Sequence, residues 1–314
     1  MGIKRTTQFG KIGVLMGGPS SEREISLKSG RAVLDNLLQA GCRAVAVDII
    51  CEDIGENIRL IESQGIDCAF IALHGRFGED GKIQKILDTI GIPYTGSGTR
   101  ASSLAMDKHA SREIFASQGL KVPGSKLFDK QGFKKAMLAS IKLPAVVKPV
   151  AQGSSIGLYI VDNRQGLEDA VSASFNYDER ILIEEYIKGR ELTVGILDGK
   201  ALPVIEIRPA HRFFDYEAKY KPGLTSYDVP AKIPEETGRL AKQAALSAHK
   251  SLGCFGCSRV DMILSQDKIF ILEVNTIPGM TETSLLPKAA GCAGIDFVGL
   301  CEKLLEMAYA KKKD

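Results

Sequence analysis

Three short apolar runs open the chain, at residues 11–16, 43–48 and 68–73, and helix-like stretches at 21–38 and about 54–64 lie between them. Short apolar runs alternating with helical segments at this spacing predict parallel strands joined by crossover helices. Ser21 followed by Glu24 reads as a capping box that opens the first helix. Gly91-Ile92-Pro93 closes a further helix over 81–90. The rhythm then changes. A helix is expected over 108–118, a proline-interrupted strand over 144–150, and a glycine- and serine-rich loop over 153–157. Strands at 158–161 and 181–185 flank a helix at 165–174. Farther on come strands at 191–197 and 201–207, a one-faced apolar helix at 235–252, and a final helix at 295–310. Strands at 258–264 and 269–274 read as a hairpin around Gln266-Asp267. Residues 208–226 are aromatic and charged with no period, and a loop of that length inside a compact domain is usually functional.

These changes of pattern divide the chain into an N-terminal α/β part at 1–103, a central part at 104–189 and a C-terminal part at 190–314. Apolar residues at 44% and charged residues at 25% are ordinary globular values and exclude a disordered chain. Lys plus Arg is 41 against 38 for Asp plus Glu, which excludes a protein that holds nucleic acid by bulk positive charge. No apolar run approaches the roughly 20 residues that span a bilayer. Seven scattered cysteines, an odd number, read as reduced thiols of a cytoplasmic protein. Met1-Gly2 with Thr6 fits a bare myristoylation pattern, but no second membrane signal accompanies it. The lysines at 311–313 suit a solvated helix end.

Two motifs look chemical and read better as structure. Gly96-Ser97-Gly98-Thr99-Arg100-Ala101 fits a dinucleotide loop, yet it does not open the first βα unit and no acidic residue follows at the ribose distance. Cys254-Phe255-Gly256-Cys257 lacks the second pair that a structural zinc requires, so buried thiols at a helix-to-strand junction are expected. No phosphate loop of the G-x-x-x-x-G-K-[ST] form occurs.

The late hairpin carries more. Glu273 and Asn275, two apart on one strand, share a face, and Asp261 can join them from the partner strand. Two carboxylates and an amide oxygen suit a hard cation such as Mg²⁺, although a pair of solvent-facing polar residues reads the same way. Arg259 lies two residues before Asp261 and faces with it, either neutralising the acids or stabilising an oxyanion. Lys148 ends its strand just before Gly153-Ser154-Ser155-Ile156-Gly157, a loop whose backbone N–H groups can approach phosphate. Glu184-Glu185-Tyr186-Ile187, then Glu191, form a strand end that could read an adenine edge and accept from ribose hydroxyls, or merely an exposed acidic end.

Together the segments G-G-P-S-S-E-R-E-I-S (17–26), H-G-R-F-G-E-D-G (74–81), M-D-K (106–108), K-P-V-A-Q-G-S-S-I-G (148–157), F-F-D-Y-E-A-K-Y (213–220), R-V-D (259–261) and E-V-N-T-I-P-G-M-T-E-T-S-L-L-P (273–287) resemble the D-alanine–D-alanine ligase family of the ATP-grasp superfamily. The resemblance runs from about residue 11 to 305. It implies a Rossmann-like parallel-sheet domain followed by an ATP-grasp fold of two α+β subdomains. It also implies ATP-dependent joining of two D-alanines through an acylphosphate, for peptidoglycan precursors, in a cytoplasmic homodimer.

What the resemblance implies for single residues follows. Two Mg²⁺ or Mn²⁺ ions would lie on Asp261, Glu273 and Asn275, with Glu273 bridging. Lys108, Lys148, Ser155 and Lys219 would face the phosphates, adenine would lie along Glu184, Glu185, Tyr186 and Ile187, and ribose would lie on Glu191. Glu22 would hold the first D-alanine's ammonium with His74 nearby. Arg259 and the Gly279 N–H would form the oxyanion hole. Ser284 and Leu285 would seat the second carboxylate. Glu22, Ser154 and Tyr220 would be hydrogen-bonded across the site, with loop 208–226 closing over it. Phe214 stands where many relatives have Tyr, and Gln152 where some have Glu. A depsipeptide ligase that takes D-lactate is the nearest rival, and Tyr220 favours the dipeptide. Other ATP-grasp carboxylate–amine ligases and a non-catalytic ATP-binding regulator are more distant ones.

Overall fold

The computed structural model describes residues 9–209 and 223–310. Residues 210–222, with Phe214, Lys219 and Tyr220, lie outside the described residues, as do 1–8 and 311–314.

The early apolar runs become β1 (Lys11–Gly17), β2 (Arg43–Ile49) and β3 (Cys68–Ile71), a parallel sheet in the order β2-β1-β3. α1 (Arg23–Gln39) and α2 (Ile54–Ser63) cross between them. β1 reads as a continuous apolar run because both its faces are covered: Val14 packs toward α1, and Leu15 packs toward α2 and α3 (Lys82–Ile90). α3 ends on Gly91 in the left-handed conformation, φ 71°.

The expected capping box is absent. The N-cap of α1 is Glu22, and it makes no side-chain cap bond. The hydroxyl that organises this turn belongs to Ser20, which accepts from the Glu22 N–H (3.2 Å) and donates to the His74 carbonyl (2.7 Å). The Glu22 carboxylate is thereby left to point elsewhere.

The expected break at residue 103 falls inside α4 (Thr99–Met106), which passes through Asp107 into α5 (Lys108–Ser117). Asp107 caps α5 by accepting from the Ala110 N–H at 2.9 Å. The second sheet is antiparallel in the order β4-β7-β5-β6, from β4 (Ser125–Asp129), β5 (Ala145–Pro149), β6 (Tyr159–Val161) and β7 (Arg180–Glu185). One face packs on α6 (Arg164–Ser174) and a 3-10 turn (Lys135–Ser140) through Val147, Leu167, Val171 and Ile181. Strand alternation sends Val146 and Lys148 to the opposite face.

The third sheet is antiparallel in the order β10-β9-β8-β11-β12. It comprises β8 (Arg190–Leu197), β9 (Lys200–Pro209), β10 (Thr225–Asp228), β11 (Cys257–Ser265) and β12 (Lys268–Asn275). Helix α7 (Glu235–Ser251) lays Ala241, Ala245 and Ala248 on it, the spacing of one helical face. The hairpin turns at Gln266 and Asp267, both left-handed at φ 47° and 61°, as a two-residue hairpin requires. α8 (Leu285–Cys292) packs on β8 and β9, and α9 (Phe297–Ala310) returns to α1 and β3, where the Tyr309 hydroxyl donates to the Phe9 carbonyl (2.6 Å). The last helix of the chain therefore shares a core with its first sheet.

The expected loop at 208–226 is shorter at both ends, because β9 runs to Pro209 and β10 begins at Thr225. The two decoy motifs pack together: the Phe255 N–H donates to Ser97 Oγ at 3.1 Å. Burial pushes the thiols up, to about 11 for Cys254 and about 12 for Cys257, which makes them inert packing residues. No helix among the described residues is long and apolar enough to cross a membrane.

α1 lies close to β1 because residue 30 is glycine. A Cβ there would stand 2.5 Å from the Met16 Cβ. We expect Gly30→Ala to lower stability by about 1–3 kcal/mol through overpacking, despite its better helix propensity. Denaturant unfolding checks this, and an unchanged midpoint would show that the helix can shift freely.

Candidate active site

Glu22 sits at the start of α1, only 6% exposed, and its carboxylate leaves the first sheet to accept a hydrogen bond from Ser154 Oγ of the 153–157 loop. Two glycines make the room: a Cβ on Gly75 or on Gly153 would come within 2.6 Å of Glu22 Oε2. Ser154 and Ser155 are both left-handed, φ 51° and 59°, each at a cost of about 1–2 kcal/mol for a residue with a side chain. Strain of this kind persists where the surroundings over-determine it, often at functional sites.

On the third sheet, β11 and β12 place Asp261 directly opposite Glu273 and Arg259 opposite Asn275. Arg259 grips Asp261 with two hydrogen bonds, 2.9 and 2.8 Å, and Thr193 Oγ1 of β8 donates to Asp261 at 2.6 Å. Glu273 faces Lys108 Nζ at 3.5 Å. Asn275 Oδ1 accepts from the Ile277 N–H at 2.9 Å. Among the described residues no group of three His, Cys, Asp or Glu gathers as a metal cluster. The expected set therefore depends on Asn275 for its third oxygen.

Behind these acids lies a buried charge cluster. Glu184 is held by Lys148 at 3.1 Å and Arg112 at 2.9 Å, with all three side chains at 7% exposure or less. The carboxylate of Glu184 is thus occupied by two cations. Burial pulls the Lys148 ammonium down to about 8; the Arg112 charge adds to the fall and Glu184 opposes it. Lys108 Nζ donates to the carbonyl of Gln152 at 2.7 Å, so the residue that departs from some relatives is used here through its backbone.

His74 is 5% exposed, and both its ring nitrogens are engaged: Nε2 lies 2.9 Å from Ser29 Oγ, and Nδ1 lies 3.4 Å from Glu79. Burial raises the Glu79 carboxyl above its usual range against the pull of His74, and the Glu22 charge adds to the rise. Past β12, Ser284 Oγ accepts from the Thr281 N–H at 3.1 Å, and a Cβ on Gly279 would stand 2.9 Å from that hydroxyl.

Two adjoining cavities result. One, of about 370 Å³, is lined by Glu22, His74, Lys108, Ser154, Arg259, Glu273, Asn275, Gly279, Ser284 and Leu285. The other, of about 150 Å³, is lined by Lys108, Lys148, Ser154, Ser155, Glu184, Glu185, Tyr186, Ile187, Glu191, Asp261 and Glu273. Lys108, Ser154 and Glu273 line both. Every site residue expected from the sequence lies on one or both walls, except Lys219 and Tyr220, which fall outside the described residues.

Known proteins bear on this arrangement. The family model for the D-ala D-ala ligase C-terminus matches residues 114–306, and that for the D-ala D-ala ligase N-terminus matches 50–97. The D-alanine–D-alanine ligase of Geotalea uraniireducens is 48% identical over 304 residues, 96% of either chain. The chain belongs to the D-alanine–D-alanine ligase family. The crystal structure of the Bacillus anthracis ligase complexed with ATP superposes with a TM-score of 0.84 at 37% identity, covering 97% of this chain and 98% of that one. The VanG D-Ala:D-Ser ligase of Enterococcus faecalis superposes with a TM-score of 0.82 at 31% identity, covering 96% and 100%. The fold of this ligase is the ATP-grasp fold preceded by a small parallel α/β sheet.

Sequence reasoning passed over four polar residues: Ser29 and Glu79, which line the larger cavity of this ligase, and Arg112 and Thr193, which hold the wall residues Glu184 and Asp261. Arg112 carried a signal, because it lies one turn beyond Lys108 on α5. Thr193 and Ser29 carried none, since a lone hydroxyl on an apolar strand or helix reads as packing.

Lys148 has a folded-state pKa of about 8 against an ordinary 10.5. Between those values the unfolded chain binds more protons, so stability contributed at this position rises with pH across that window. We expect the stability of the protein relative to Lys148→Met to grow from about pH 8 to 10.5 in denaturant titrations. A flat or falling difference would show that burial does not disfavour the Lys148 ammonium in the fold.

Proposed function

We propose that this chain joins two D-alanine molecules into D-alanyl-D-alanine, converting ATP to ADP and phosphate and supplying peptidoglycan synthesis. The observation that carries this reading is the pair of adjoining cavities that share Lys108, Ser154 and Glu273 in a chain of this family. One cavity has the apolar strip and strand end that suit a nucleoside. The other has the buried carboxylate and hydroxyls that suit a small amino acid.

In this reading the nucleotide lies along Glu184, Glu185, Tyr186 and Ile187, with its ribose on Glu191 and its phosphates toward Ser155, Lys148, Lys108 and Lys219. The carboxylate of the first D-alanine, its ammonium on Glu22 near His74, attacks the γ-phosphorus. The bond from that phosphorus to ADP breaks, leaving an acylphosphate. The amine of the second D-alanine, its carboxylate at Ser284 and Leu285, attacks the acyl carbon. Phosphate departs and the nitrogen loses a proton. Arg259 and the Gly279 N–H face the oxyanion that forms between those events. Glu22, Ser154 and Tyr220 tie the site together.

Asp261, Glu273 and Asn275 would hold divalent cations, Mg²⁺ or Mn²⁺, and their hard oxygens fit such ions. Those ions would supply charge neutralisation to the phosphates. The divisions at 1–103, 104–189 and 190–314, a homodimer and a cytoplasmic location complete the proposal. Each of the three sheets falls within one of those divisions, which supports them.

An ADP-release assay with D-alanine, L-alanine, D-lactate and D-serine side by side tests the reading. Release should require D-alanine, with dipeptide as product. Release that ignores D-alanine, or a depsipeptide as main product, would overturn it. We further expect Glu273→Gln to fold with near-normal thermal stability and to lose turnover by at least about a hundredfold, because the phosphates lose a shared counter-charge. Substantial turnover at saturating Mg²⁺ would remove Glu273 from the metal site.

A further inference from the structure

A chain of close polar contacts leads from the first sheet to the segment after β12. The Met280 N–H donates to Ser29 Oγ at 3.3 Å. Ser29 Oγ lies 2.9 Å from His74 Nε2. The other ring nitrogen, Nδ1, lies 3.4 Å from Glu79, so the imidazole is held between the serine and a carboxyl group. Ser29 is fully buried and His74 nearly so, at the inner end of the larger cavity.

Met280 follows Gly279, whose N–H is assigned above to the oxyanion. Gly279 has no side chain to anchor it, and a Cβ added there would press on the Ser284 hydroxyl. The local bonds Ile277 N–H to Asn275 and Thr281 N–H to Ser284 fix the two ends of this turn from within its own segment. The Ser29 bond fixes its middle from outside, from a helix of the first sheet.

We propose that Ser29 is a positioning residue for the second half of the reaction. It holds the Met280 N–H and with it the peptide on one side of Gly279, so that the Gly279 N–H on the other side can turn only about the glycine's own dihedrals, while the contact with His74 orients the serine. Glu22 and Ser29 lie about two turns apart on one face of α1. The same helix therefore grips the Ser154 loop at its start and the Gly279–Met280 turn farther along. It sets the spacing between the place where acylphosphate forms and the place where the amine adds.

This inference rests on the ligase reading, and the test separates the two. ATP labelled with heavy oxygen in the β–γ bridge scrambles that label only when the γ-phosphorus bond is broken and remade, so scrambling with D-alanine present reports the first half-reaction. Dipeptide formation reports both halves. In Ser29→Ala, and in the closer-shaped Ser29→Cys, scrambling should be retained or raised. Dipeptide formation should fall by roughly ten- to a hundredfold, with the KM for ATP unchanged. A fall of scrambling and ligation in equal proportion, or no fall in either, would overturn the role of Ser29 while leaving the ligase reading intact. Wild-type protein that neither scrambles label nor forms dipeptide would overturn the ligase reading itself.

Discussion

A buried carboxylate must be met by a donor, and in this protein the donor comes from another unit. Glu22 belongs to the first sheet's helix, Ser154 to the loop beside the second sheet, and their hydrogen bond spans the cleft between them. An unpaired carboxylate at this depth would be costly, so the contact constrains how close the two units stand. Much local sequence serves it. Gly75 and Gly153 clear the space around the carboxylate, and Gly30 lets α1 approach β1. Ser20, rather than Ser21, organises the helix entry, so that Glu22 turns inward instead of capping its own helix.

The reactants of the proposed reaction are anionic, and the walls of the cleft carry the matching charge before any reactant arrives. Lys148 and Arg112 share Glu184, Lys108 faces Glu273, and Arg259 grips Asp261. Buried ion pairs give little net stability, since desolvation consumes most of the Coulomb gain. Burial pulls the Lys148 ammonium down for the same reason. Retaining such a cluster is better explained by what it can bind than by what it adds to folding. The residues assigned to phosphate and oxyanion are also the partners of the carboxylates assigned to the metal. Cations held by those carboxylates would free that charge to face the reactants.

The elements with a clean period were legible: β1, β2, α1 and the β11–β12 hairpin lie where apolar spacing puts them. So were the residues that act through neighbours two positions away, because strand alternation alone brings Glu273 and Asn275 to one face and Arg259 beside Asp261. Illegible parts have physical reasons. β4 is an edge strand with one buried residue, Phe128, and so carries no alternation. α8 contains a proline and a glycine that mask its helical spacing. The Ser21–Glu24 pattern has capping spacing but the wrong serine does the work. Arg112 reaches the Leu272 carbonyl, Thr193 reaches Asp261 and Ser29 reaches Met280, contacts between residues far apart in sequence that no local pattern encodes.

The chain's own division of labour follows from which cores are shared. One buried cluster runs from Val14 and Phe70 of the first sheet through Leu202 and Ile205 of the third to Leu304 of the returning last helix. The first and third sheets are thus packed as one mass, and α1 is set rigidly against the turn that holds Gly279 and Met280. The cluster on the second sheet, around Val147, Leu167 and Ile181, contains no residue of either other sheet. That sheet reaches the rest through polar contacts such as Ser154 to Glu22 and Arg180 to Asp107. Hydrophobic packing therefore fixes the groups proposed to meet the acyl carbon. Hydrogen bonds and ion pairs, which can be remade, join the unit proposed to present the nucleotide. A ligase that must admit ATP, exclude water from an acylphosphate and release ADP needs its packed core on the acyl side and its exchangeable contacts on the nucleotide side.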